Sequence, residues 1–158
     1  MPRPLDAHEI TEGLWLGACP KTPEFIRALR HDHGITALVS VQTDADLAGM
    51  GLGWPLLWRF LMANGIATNR VPIVDFDQRA LRAGLDDAVA AVDASRRDGR
   101  VTYVHCTAGI NRSPTVVIAY LVTHGGFDLD TAWELVHARR PVVPDREVLE
   151  AWLSSQPL

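Results

Sequence analysis

The stretch 104-VHCTAGINRSPTVVIAY-120 holds the residues best suited to chemistry. Cys106 ends an apolar run, and five residues, Thr107 to Asn111, separate it from Arg112. Ser113 and Pro114 then open a second apolar run. Such a segment reads as a strand, a tight loop and a helix. In open α/β sheets, ligands bind at the edge where strands end and helices begin. A tight loop there can aim several backbone N–H groups at one centre, and the helix N-terminus adds positive potential. Gly109 supplies the backbone freedom such a turn needs. The loop therefore suits a tetrahedral oxyanion such as phosphate.

The same environment favours a thiolate. Lowering a thiol's pKa by about three units takes about 4 kcal/mol, whereas a helix dipole supplies about 0.3–2 kcal/mol. Loop amides, Arg112 and nearby hydroxyls must supply the rest. Arg112 can grip phosphate with two prongs, which Lys cannot match. Ser113 can donate a hydrogen bond to the sulfur when it leaves, and His105 can orient the loop through a ring N–H. The competing reading is a buried structural cysteine with an arginine in a helix cap.

HCxxGxxRS in this setting resembles the cysteine-dependent protein phosphatases. HCTAGINRSPT followed by VVIAYL resembles their dual-specificity branch, and the likeness runs from about Ile10 to Leu153. It implies Cys106 as nucleophile, Arg112 as phosphate clamp and Ser113 as the hydroxyl that helps release the thiophosphate. His105, Thr107, Ala108, Gly109, Ile110 and Asn111 would line the anion site. A phosphocysteine route also needs a proton donor. The chain offers Asp75 and Asp77 in 71-VPIVDFD-77. The family's acid follows a strand resembling IPxxD, which selects Asp75, with Asp77 as the alternative or as a helix cap. The implied route uses no metal or other cofactor.

Within the branch, 101-VTYVHCTAG-109, 74-VDFD-77, 42-QTDADL-47 and 16-LGACPKTPE-24 resemble starch-excess and laforin-type glucan phosphatases. Phe76 matches one aromatic of their sugar channel. Gly49, Met50 and Val143 stand where further aromatics are expected, and Ile110-Asn111 departs from their glycine next to the arginine. Ser40 replaces the cysteine that can pair with the nucleophile. Trp54, Trp58 and Phe60 form either a substrate platform or core packing; core packing is the expectation. The loop lacks the lysine usual in phosphoinositide phosphatases. The leading reading is a phosphomonoester hydrolase of the dual-specificity protein phosphatase type, with phosphoprotein or phosphoglucan as substrate. A non-catalytic phosphate-binding module is the rival class, and a rhodanese-like sulfurtransferase fits the motif poorly.

The elements that must position this loop follow from patterning. Strands are expected over 10–17, 35–42, 68–76 and 101–105. Helices are expected from Thr22-Pro23 to Gly34, over 54–65, 79–98, 112–124, about 130–140 and 145–154, with a short turn inside 43–53. Their alternation predicts an α/β fold with one mostly parallel sheet flanked by helices on both faces. The 158 residues, 47% hydrophobic and 22% charged, suit a single domain over 1–158. The net charge of −4, with Lys21 the only lysine, argues against nucleic-acid or anionic-membrane partners. No apolar run reaches the roughly 18–20 residues of a membrane span. MPRPLDAHEI lacks a signal-peptide core, so a cytoplasmic protein is expected. Two cysteines make no disulfide framework, and His31 and His33 read as a solvated helix end rather than a metal pair.

Overall fold

The structure is a computed structural model that describes residues 4–157, so the first three residues of the MPRPLDAHEI start and Leu158 lie outside it. The strands are β1 (Ala7–Thr11), β2 (Leu14–Gly17), β3 (Ala37–Ser40), β4 (Ala67–Arg70) and β5 (Thr102–His105). They form one sheet in the order β1-β2-β5-β3-β4. All neighbours run parallel except β1 and β2, which are antiparallel. The single strand expected over 10–17 is thus part of a hairpin. Its turn falls at Glu12-Gly13, where Gly13 takes a left-handed φ of 77° and donates its N–H to Glu9 Oε2.

Strand pleating sends successive residues to opposite faces. On β5, Tyr103 joins one core and Val104 the other; on β3, Leu38 and Val39 divide the same way. The helices are α1 (Pro23–Arg27), α2 (Asp44–Gly49), α3 (Trp54–Ala63), α4 (Gln78–Arg97), α5 (Arg112–Thr123), α6 (Leu129–Arg139) and α7 (Arg146–Ser154). Residues from α4 to α7 build the Val104 core; residues from α1 to α3 build the Tyr103 core. Helix α5 is buried at every position from Arg112 to Leu121. None of the described helices is long and apolar enough to cross a membrane.

Local chemistry accounts for the boundaries. Thr22 caps α1 by accepting from Phe25 N at 3.1 Å, with Pro23 at the first helical position, and a π turn over Ala28–Asp32 completes the helix expected to Gly34. The strand expected over 68–76 ends at Arg70, because Pro72 has no N–H for the ladder. Pairing persists on either side of it: Val71 N donates to Ser40 O (2.8 Å) and Ile73 N to Val41 O (2.9 Å). This keeps the acidic loop beside the sheet edge. Helix α3 corrects the packing expectation at Trp58 and Phe60, while Trp54 packs against the core as expected. Leu57 and Leu61 fill the core, while Trp58 and Phe60 are 44% and 38% exposed. Trp54 is half-buried, with the Arg70 guanidinium 4.9 Å from its ring centre.

The close approach of β2 to its neighbours leaves no room at Gly17. A Cβ there would lie 2.5 Å from Asp6 O and 2.5 Å from the Tyr103 hydroxyl. Gly17→Ala is therefore expected to cost about 1–3 kcal/mol. Urea unfolding would read this as a lower midpoint at constant slope, and an unchanged midpoint would contradict it.

Candidate active site

The loop from Cys106 to Asn111 joins the end of β5 to the start of α5. A trans peptide points its C=O and N–H in opposite directions, so N–H groups can face an anion only if the carbonyls find partners outside. Each carbonyl here has one. His105 Nδ1 lies 2.9 Å from Cys106 O, and Cys19 N donates to Thr107 O at 3.0 Å. Arg140 donates to both Ala108 O and Gly109 O at 2.9 Å. Val143 N donates to Ile110 O at 2.7 Å, and the Thr115 hydroxyl to Asn111 O at 2.8 Å. The loop is turned inside by being tied outside.

At its centre, Cys106 Sγ accepts from Gly109 N at 3.3 Å and lies 3.1 Å from Ser113 Oγ. Gly109 has φ 70°, and a Cβ on it would collide with the Gly17 carbonyl. The thiol therefore lies just ahead of the α5 N-terminus, within reach of a backbone amide and a hydroxyl. Cys19 contrasts with it: burial pushes that thiol up to about 12, so it stays neutral in the opposite core.

Arg112 is 2% exposed and is held on one side by protein groups. Its Nη1 donates to Asp46 Oδ2 at 2.7 Å and to Ile73 O at 2.8 Å; Nη2 donates to the Thr107 hydroxyl at 3.3 Å. Asp75 Oδ1 is 3.2 Å from Nε, but off the N–H direction, so the contact is an ion pair and Nε keeps its hydrogen-bonding capacity. Nε is buried, faces the Asp75 carboxylate and makes no hydrogen bond. Two carboxylates offset the buried cation. For Asp46, burial raises the pKa, but hydrogen bonds from Arg112 and Thr43 outweigh it and hold the group below the usual carboxylate range.

Other site residues from the sequence divide. Asp75 reaches Arg112, whereas Asp77 caps α4 by accepting from Ala80 N at 3.0 Å. Phe76 is 97% exposed with φ 57°, a left-handed strain that costs about 1–3 kcal/mol and lies beside the candidate acid. With Val74, Ile110 and Val143 it rims a cavity of about 430 Å³ that reaches Arg112. Ala108 is exposed. Asn111 turns its side-chain amide away, to Val143 O at 2.8 Å, so it can offer a ligand only its backbone. Thr107 uses its hydroxyl to accept from Arg112 and from Gln42 Nε2 at 3.0 Å. Asp46, Gln42 and Arg140 escaped the sequence reading. Asp46 carried one faint signal, the Thr43–Asp46 spacing of a capping box, which it also completes.

His105 is fully buried, and its Nδ1 must carry a proton to bond a carbonyl. Nε2 has no partner, so protonating it places an unsatisfied charge in the core. Burial, with Arg112 adding repulsion, lowers its pKa to about 4. The folded pKa lies below the unfolded value of about 6.5, so this stability is full above pH 6.5 and drains as pH falls toward 4. The slope in that window is up to about 1.4 kcal/mol per pH unit. Urea midpoints should fall less steeply between those pH values for His105→Asn than for wild type. Parallel profiles would contradict the assignment.

Residues 14–155 match the family model "Dual specificity phosphatase, catalytic domain". A phosphoglucan phosphatase of Castanea sativa is 33% identical over 144 residues, covering 90% of this chain and 38% of that protein. Mouse laforin is 28% identical, covering 85% of this chain and 44% of its own length. The chain thus spans less than half the length of these curated relatives. The crystal structure of human DUSP28 superposes with a TM-score of 0.71 at 28% identity, covering 97% of this chain and 93% of that one. The chain belongs to the dual specificity phosphatase catalytic-domain family.

Proposed function

We propose that the chain is a single catalytic domain, a dual-specificity protein phosphatase that hydrolyses phosphomonoesters through a phosphocysteine. The observation that carries this is the thiol of Cys106 between Gly109 N and Ser113 Oγ, with Arg112 at the end of the same loop paired to Asp75. The Cys106 thiolate attacks phosphorus, forming the S–P bond as the ester P–O bond breaks. Asp75 gives its proton to the departing oxygen. Loop N–H groups and Arg112 hold the non-bridging oxygens as charge builds on them. Water then attacks the phosphocysteine and loses a proton to Asp75. The S–P bond breaks, Ser113 donates to the leaving thiolate, and inorganic phosphate departs.

Cys106→Ser is expected to abolish turnover of p-nitrophenyl phosphate with an unchanged circular dichroism spectrum; retained activity would sink the assignment. Asp75→Asn separates the acid role from the rest. It should lower the single-turnover rate of leaving-group release from a phosphotyrosine peptide by about 10²–10⁴-fold. The loss in the burst of p-nitrophenolate from p-nitrophenyl phosphate should be far smaller, because that leaving group needs no proton. Equal losses in the two single-turnover rates would exclude Asp75 as the acid.

The apolar rim of Val74, Phe76, Ile110 and Val143 suits a phosphorylated side chain entering between flanking residues. A phosphoglucan is the second reading, supported by exposed Phe76 as a stacking face and by the likeness to the Castanea sativa phosphoglucan phosphatase. Phosphate release from phosphotyrosine and phosphothreonine peptides is expected to exceed release from solubilised amylopectin. Release from amylopectin alone would reverse that order.

A further inference from the structure

Arg140, just past the end of α6, is buried to 2% exposure behind the loop it supports. Burying a cation is expensive, and a well-packed apolar side chain would often serve stability as well or better. Its contacts point to another reason. Nε and Nη2 form a fork onto two consecutive carbonyls, Gly109 O and Ala108 O, each at 2.9 Å. Nη1 is 2.8 Å from Asp6 Oδ1 and 3.1 Å from His8 Nδ1. Arginine only donates, so that His8 nitrogen is the acceptor and the ring is neutral. All three guanidinium nitrogens are committed.

The fork acts on the peptide planes 108–109 and 109–110. Fixing Ala108 O outward turns Gly109 N–H inward, where it donates to Cys106 Sγ at 3.3 Å. Fixing Gly109 O outward turns Ile110 N–H the same way. A cation at the carbonyl end also polarises each peptide toward a stronger donor. We propose that Arg140 is a positioning residue for phosphoryl transfer, aiming and polarising two loop amides from behind without touching the substrate. The proposal rests on the phosphatase reading above. Among the other loop carbonyls, Thr107 O and Ile110 O are tied by backbone amides, so Arg140 holds the only two consecutive planes secured by one removable side chain.

The test is Arg140→Met, which keeps the stem and removes the fork, with Arg140→Lys beside it. Lysine is a point charge that cannot span both carbonyls with planar geometry. We expect kcat for p-nitrophenyl phosphate to fall about 10–100-fold in Arg140→Met, below the roughly 10²–10³ for deleting a direct oxyanion donor. Arg140→Lys should fall less, and KM should change little in either. In a Cys106→Ser background, which cannot turn over, Arg140→Met should weaken tungstate binding by calorimetry by a similar factor. A role in stability alone would lower the melting temperature and leave kcat and tungstate affinity per folded molecule unchanged, and that result would overturn the proposal. In wild type, Arg140 Nε–H should exchange slowly and show a coupling across the hydrogen bond to the Gly109 carbonyl carbon. Absence of that coupling would overturn it however the variants fold. Inactive wild-type protein whose tungstate affinity still falls in Arg140→Met would instead count against the phosphatase reading alone.

Discussion

A peptide group has two ends, and the site follows from that constraint. To offer N–H groups to one anion, the loop from Cys106 to Asn111 must place six carbonyls elsewhere. The rest of the fold provides the takers: a ring nitrogen from His105, amides from Cys19 and Val143, a hydroxyl from Thr115 and two prongs from Arg140. These come from the end of β5, the segment after β2, the segment after α6 and α5 itself. An unsatisfied buried carbonyl costs about 1–3 kcal/mol, so losing several of these partners would let the loop turn over. The sheet edge is thus a clamp, and the catalytic geometry is its inner surface.

Arg112 adds a second constraint. Its buried charge requires compensation, supplied by Asp46 at 2.7 Å and Asp75 at 3.2 Å. The two carboxylates have different jobs. Asp46 is fixed by Thr43 through a reciprocal cap and holds Nη1 permanently. Asp75 lies on a surface loop, pairs with Arg112 Nε at 3.2 Å and accepts from Phe76 N at 3.0 Å. The guanidinium is thus hydrogen-bonded through both Nη atoms, while its Nε meets only the Asp75 charge.

Much of this was legible in the chain. Cys106, the five-residue loop, Arg112 and Ser113 lie within eight consecutive residues, and local sequence fixes their mutual geometry. Caps such as Thr22 and Asp77 were readable because capping is a short-range event. Arg140 and Asp46 were not readable, because each reaches the loop through tertiary contact and looks in sequence like a helix-end residue. The hairpin at Gly13 was missed because 10-ITEGLWLG-17 keeps apolar residues on both sides of a two-residue turn. Helix α3 misled for another reason: it is apolar on faces that the fold leaves exposed, so hydrophobicity did not report burial at Trp58 or Phe60.

The most direct measurement of the central claim is the mass of the intact protein after acid quench of Asp75→Asn turning over p-nitrophenyl phosphate. The good leaving group lets the S–P bond form without the acid, while hydrolysis lacks its base and the intermediate accumulates. The account predicts one covalent phosphoryl group per molecule, mapped to Cys106 and absent in the Cys106→Ser double variant. Phosphate released at the wild-type rate with no adduct, or an adduct on any other residue, would contradict it.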